Sequence, residues 1–271
     1  MTILENEAEL LDALRGEMTP KFLATRNTEG IPNVVPCVSI LPADDQPDTL
    51  FFGNFLLRKS IKNLEVDKRV AVLVMTQDLK GWMLKCDFVE FQRTGANVDR
   101  QMSSNLLRYN AYTGIRNAGV MRVLSLEGRF KISKIQVLLD YLRAKTKTLR
   151  VSDNSNNIKN QETVKIPLPT RQEFARMVAV KVLAWIGEDD YPIIVPALSM
   201  QPAGENTLVG VLSGVDLPKP SPGARVATNI LTFQAISYQV KGQWQPSGNT
   251  GKLQVQEVYA GGPPYPGGRV A

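Results

Sequence analysis

Arg58, Lys59 and Ser60 stand together shortly after an apolar run, Leu50-Phe51-Phe52, and a break at Gly53-Asn54. Two cations and a hydroxyl at the mouth of a helix suit one chemistry above others, the seating of a phosphate. The first N–H groups of a helix have no intrahelical acceptor, and the helix dipole adds positive potential there. Arginine brings a planar fork to such an anion and lysine a point charge. A solvated basic turn has the same composition, so the surrounding segments must decide between the two.

Histidine is absent from all 271 residues. That removes Ser-His-Asp and Cys-His triads, imidazole metal sites and axial-histidine haem. With Cys37 and Cys86 the two cysteines of the chain, no metal site is expected. Chemistry would come from a bound organic cofactor or from carboxylate, Lys, Arg and Tyr groups. The cysteines lack CxxC spacing and read as small buried apolar residues in a reducing, cytoplasmic setting. A net charge of +6 fits an anionic partner. No zinc-knuckle spacing, RNP-like aromatic motif or long basic run is found, so nucleic acid is not expected. No apolar run approaches the roughly 18–20 residues that span a bilayer, so no membrane partner is expected either. The acidic N-terminus, 1–9, lacks the pattern of a signal peptide.

The elements that must position the cluster are mainly β. Residues 5–16 read as an amphipathic helix closed by Gly16. Extended runs follow at 22–25 and 33–41, with a hairpin signal at Glu29-Gly30. Segment 59–66 reads as a short helix, 70–75 (VAVLVM) as a continuous apolar strand and 81–93 as another strand. Residues 97–112 look helical, 120–132 a long strand, and 135–149 an amphipathic helix with basic residues in its last turns. Trp82 and Trp185 read as core aromatics, and Tyr109 and Tyr112 as residues packing their helix. The polar stretch at 152–161 is the clearest linker, and the Gly/Pro-rich tail, 261–271, is expected to be disordered or draped over a surface. The expected division is a first half at 1–150, a linker at 151–164 and a second half at 165–260.

A repeat crosses that linker. GIPNVVPCVSILPA at 30–43 matches DYPIIVPALSMQPA at 190–203. Pro32, Val35, Pro36, Ser39, Pro42 and Ala43 recur as Pro192, Val195, Pro196, Ser199, Pro202 and Ala203. Leu23-Ala24 recur as Leu183-Ala184, Thr49-Leu50 as Thr207-Leu208, and Arg69-Val70-Ala71 as Arg225-Val226-Ala227. The second copy has no basic cluster. Pro218, Pro220 and Pro222 replace it, and prolines there cannot continue a helix ladder. The duplication is asymmetric, with one half equipped for a phosphate and the other degenerate.

TRNTEGIPNVVPCVSI, then LFFGNF, then RKSIKNLEVDKRVAVLV, resembles the FMN-binding split barrel, the superfamily of pyridoxamine 5'-phosphate oxidase, small FMN-binding proteins and flavin reductase-like proteins. The likeness covers roughly 10–132, with a weaker echo over 175–256. Its residues are Gly30, Pro32, Val35 and Pro36, then Arg58, Lys59, Ser60, Asn63 and Leu64, then Asp67, Arg69, Val70 and Val72. The resemblance implies split, antiparallel Greek-key barrels with a few helices, in tandem.

It further implies that Lys59 and Ser60, with Arg58 beside them, hold the FMN phosphate. Pro36, Cys37, Val38 and Ser39 would run along the isoalloxazine or ribityl chain, and Asn54 and Phe55 would face the cofactor. Tyr112 and Arg116 are the candidates for contact with the ring. An FMN-dependent oxidoreductase is implied, moving electrons from a reduced donor such as a nicotinamide to a small molecule. A non-catalytic carrier or sensor is the alternative function, and F420 the alternative cofactor. Full pyridoxamine-phosphate oxidase activity is not expected, because basic groups for a second phosphate are not identifiable. Such barrels commonly pair with flavin between them, as a homodimer or, with two barrels in one chain, as an intrachain pseudo-dimer.

Overall fold

The run VAVLVM is apolar throughout because both of its faces are buried. Val70, Val72 and Val74 point into the first half's own core with Leu23, Leu50, Phe52, Leu84 and Met121. Ala71, Leu73 and Met75 point the other way, into a second core shared with Val182, Ala184, Ile194 and Val195. One strand therefore serves two cores, and the second of these joins the two halves of the chain.

The computed structural model describes residues 2–104, 114–152, 164–212, 219–248, 250–262 and 266–271, with backbone alone for 149–152. The first half contains α1 (Ala8–Arg15), β1 (Lys21–Arg26), β2 (Pro32–Pro36), β3 (Leu41–Pro42), β4 (Thr49–Gly53), α2 (Arg58–Val66), β5 (Arg69–Met75), β6 (Lys80–Gln92), α3 (Ala96–Met102) and β7 (Ala118–Lys131). Helix α4 (Lys134–Ser152) follows. The second half contains α5 (Leu168–Phe174), β8 (Val180–Ile186), β9 (Pro192–Pro196), β10 (Gln201–Pro202), β11 (Thr207–Val211), β12 (Arg225–Leu231), β13 (Ser237–Ser247), β14 (Thr250–Ala260) and β15 (Gly268–Arg269).

The strand orders are β2-β1-β5-β6-β7-β4-β3 and β9-β8-β12-β13-β14-β11-β10, so the second sheet repeats the first strand for strand. All pairings are antiparallel. Details of bonding recur too. The Cys37 N–H donates to Lys21 O and the Ala197 N–H to Lys181 O, each at 2.7 Å. The Ser39 hydroxyl accepts from the Gly53 N–H at 3.2 Å, and the Ser199 hydroxyl from the Val211 N–H at 2.8 Å. Each half is a mainly antiparallel split barrel, and a single barrel with an unrelated appendage does not describe the chain.

The hairpin at Asn27–Gly30 has a local cause. The Asn27 side-chain oxygen accepts from the Glu29 and Ile31 N–H groups, and Gly30 takes φ +71°, which glycine tolerates without strain. Some segments depart from expectation. Helix α3 ends at Met102, and residues 105–113, including Tyr109 and Tyr112, lie outside the described residues. Within the tail, β15 pairs with β14 rather than lying free. Between β11 and β12 no helix occurs among the described residues, while 213–218 lie outside them. Helix α4 follows the first barrel in sequence but packs on β11 of the second, with Gln201 donating to Tyr141 O at 2.9 Å. Among the described residues no helix is long and apolar enough to cross a membrane.

Ion pairs also link the halves. Asp67 receives Arg69 at 2.8 Å and Arg26 at 2.9 Å, and Arg26 reaches Asp190 of the second half at 2.7 Å. Tyr191 donates its hydroxyl to Asp87 at 2.8 Å.

Candidate functional site: a cleft between the two barrels

A cleft of about 330 Å³ opens where β2 and the start of α2 face the second half, within the size range of small-ligand sites. Its first-half wall includes Val35, Pro36, Cys37 and Val38, and one end is formed by Arg58, Lys59 and Ser60. Its opposite wall comes from β12, β13 and β14, through Asn229, Gln239 and Tyr259. The cleft thus has an apolar strand along one side and a basic helix start at one end.

The helix start is open. No side chain caps α2, its first turn contains no acidic residue, and its N-cap position is Leu57. Helix geometry leaves the Lys59 and Ser60 N–H groups without intrahelical acceptors. Ser60 is 1% exposed, and its hydroxyl accepts from the Asn33 side-chain amide at 3.0 Å. That bond uses the hydroxyl as an acceptor and leaves its own proton free to donate.

Lys59 lies against the second half. Its amine stands 2.9 Å from the centroid of the Tyr259 ring, a cation–π contact. Burial pulls its pKa down to about 8, with nearby Glu257 opposing and Arg269 reinforcing the shift. Tyr259 donates its hydroxyl to Glu257 at 2.6 Å, and burial together with that bond pushes the phenol's pKa up. Burial works to raise the Glu257 carboxyl, but the Tyr259 hydroxyl, Lys241, Lys59 and Arg225 outweigh it and hold the group below its usual range.

Of the residues singled out from sequence, Pro36, Cys37, Val38, Ser39, Phe55, Arg58, Lys59 and Ser60 line this one cleft. Asn54 does not line it. It is 7% exposed and serves as a joint, its N–H donating to Asn117 O at 3.0 Å. Arg116 is exposed and is not among the residues lining the cleft, and its backbone N–H donates to Asn54 O at 3.3 Å. Tyr112 lies outside the described residues. Ser39 bonds as Ser199 does, so it fastens a strand in both halves and has a role in the fold. Asn63 donates to Thr25 at 3.0 Å, and Leu64 is buried in the core. The Cys37 thiol is pushed up to about 12 by burial, which keeps it protonated and unreactive near neutral pH. Cys86 is fully buried and its pKa is likewise raised.

The sequence reading missed Asn33 and the whole second-half wall. Asn33 sits in the GIPNVVP strand that was singled out, and its spacing from Ser60 gives no local signal of their contact. One consequence is testable. Ser60→Ala strands a buried Asn33 donor, so the variant is expected to lose about 1–3 kcal/mol of folding stability in urea denaturation. A change below about 0.3 kcal/mol contradicts the bond as an element of the fold.

No protein-family model and no curated protein matches the chain. Solved structures resemble it over part of its length. HupZ from Group A Streptococcus is 19% identical with a TM-score of 0.36, over 46% of this chain and 93% of that one. An FMN-binding protein from Syntrophomonas wolfei is 15% identical with a TM-score of 0.39, over 49% and 88%. An F420 reductase is 16% identical with a TM-score of 0.34, over 43% and 94%. The architecture itself rests on the strand order within the chain: two split barrels in tandem, of one topology.

Proposed function

We propose that this chain is a flavoprotein holding one FMN in the cleft between its two barrels, and that it passes electrons from a reduced nicotinamide-type donor to a small-molecule acceptor. The observation that carries the reading is convergence. The uncapped start of α2 brings Lys59 and Ser60 to the end of an apolar wall, and the second half of the same chain closes the other side. A dianionic phosphate joined to a flat, largely apolar ring has this division of character.

The residues present fit such a group. Lys59 supplies charge at the phosphate end, and the Ser60 hydroxyl, oriented by Asn33, supplies a donor. Val35, Pro36 and Val38 provide an apolar surface that excludes water from one face of a ring. On the other wall Gln239 donates to Val34 O and Asn229 accepts from the Ser237 hydroxyl, which leaves the Gln239 oxygen and the Asn229 amide N–H groups for a flavin's polar edge. The bound flavin supplies the redox chemistry, and the protein supplies binding, orientation and electrostatics.

The experiment is absorbance and mass analysis of ligand released from purified protein, followed by anaerobic addition of NADH or NADPH. Released FMN and bleaching of its visible band are the expected results. Release of F420 instead would replace the cofactor assignment. FMN without bleaching would favour a carrier or sensor over an enzyme. Absence of any flavin together with failure to bind added FMN would overturn the proposal.

A further inference from the structure

Two amines, one from each half, lie near the ring of Tyr259. Lys59 stands 2.9 Å from its centroid and Lys241, on β13, stands 5.8 Å from it. Lys241 is 6% exposed, and among the described residues its amine donates no hydrogen bond. The amine is not fully shut off from solvent, yet a charge in so buried a side chain is costly and favours a counter-charge. Glu257 is its cross-strand neighbour, but that carboxylate is already shared. It accepts the Tyr259 hydroxyl, lies 3.7 Å from Arg225 and also feels Lys59. Lys59, Lys241 and Arg225 thus converge on one carboxylate, with Arg269 close enough to act on both Lys59 and Tyr259. Of these groups Lys59 and Tyr259 line the cleft, and Lys241 adjoins it through its approach to the Tyr259 ring.

We propose that Lys241 is the second jaw of the anion seat, gripping with Lys59 the phosphate of the ligand, so that the seat is built by both halves and selects a phosphomonoester over its neutral alcohol. The inference rests on the phosphate-ester ligand assigned above and adds a residue that the first half's motif does not contain. Two amines and a helix N-terminus around one group match a dianion better than a single carboxylate. The Tyr259 ring takes up the Lys59 amine.

The test is fluorescence titration of FMN and of riboflavin, which lacks the phosphate, into the full chain and its Lys241→Met variant. Lys241→Gln serves as a second variant should the first fail to fold, with circular dichroism confirming the fold of whichever is used. FMN affinity is expected to fall about 10-fold or more, with riboflavin changed by less than about three-fold. Unchanged FMN affinity in a folded variant would overturn the proposal, leaving Lys241 as a counter-charge to Glu257. An equal loss for both flavins would overturn it too, since the phosphate would then not be what Lys241 reads. Should the unaltered chain bind neither flavin, the FMN assignment falls separately. Calorimetry with inorganic phosphate then decides on Lys241: weaker phosphate binding in the variant supports the seat, and equal or absent binding overturns it.

Discussion

Lys59→Met is expected to weaken FMN binding about 10- to 100-fold, the equivalent of about 1.5–3 kcal/mol for a lost hydrogen bond to a charged group. Two effects place the result toward the lower end. The amine is only partly buried, and binding would take it from the Tyr259 ring, a contact worth about 0.5–1 kcal/mol at exposed sites. Riboflavin affinity should change by less than about three-fold, because the residue addresses the phosphate and not the ring. Parallel titrations of both flavins check this.

The same geometry sets a pH dependence. Burial holds Lys59 and Lys241 at about 8 in the free protein, below the ordinary lysine value, so each is about half charged at that pH and loses the rest of its charge above it. Glu257 works against that loss for both amines, while Arg269 favours it at Lys59 and Arg225 at Lys241. A bound dianion raises an amine's pKa, so binding at pH 8 should take up protons, and affinity should fall as pH rises further. Calorimetry in buffers of different ionisation enthalpy reads the uptake directly. Lys59→Met should diminish it.

Gly242→Ala is expected to cost about 3 kcal/mol or more of folding stability. A Cβ at this position would stand 1.9 Å from the Gln254 carbonyl oxygen and 2.8 Å from its carbon, both backbone atoms of the paired strand β14. Neither can rotate aside, and the register shift between Lys241 and Gly242 marks a bulge that depends on this close approach. Gly251 makes a useful comparison. Its added Cβ would meet the Trp244 ring at 1.8 Å, but a side chain can move where a backbone cannot. Gly251→Ala should therefore cost less than Gly242→Ala. Urea denaturation of both variants checks the order, and a cost below about 0.5 kcal/mol for Gly242→Ala would contradict the tight bulge. The site depends on the bulge because it sets the course of β13 and β14, which carry Gln239, Lys241 and Tyr259.

Much of the first half was legible because its signals are local. The Asn27–Gly30 turn, the doubly apolar β5 and the basic start of α2 each announce themselves within a few residues. The repeat was legible because its turns use the same prolines and serines, and Ser39 and Ser199 prove to fasten equivalent strands. The far wall of the cleft was not legible. Asn229, Gln239 and Tyr259, and Lys241 beside that wall, look like ordinary strand residues until tertiary packing brings them near α2. Lys241 in particular reads as one of many scattered cations, and only its burial distinguishes it. Arg116 does not line this cleft, and its nearness in sequence to β7 carries no signal of that. The tail reads as a breaker sequence, yet the end of β14, past its pairing with β11, supplies partners that pull Gly268–Arg269 into the sheet.

The most direct measurement is the stoichiometry and phosphate dependence of flavin binding by the intact chain, from calorimetric titration with FMN and riboflavin alongside the solution mass. One FMN per 30.0 kDa chain is expected, with riboflavin bound about 10-fold more weakly or worse. Equal affinity for the two flavins, or no binding of either, would contradict a phosphate-anchored flavin site between the barrels.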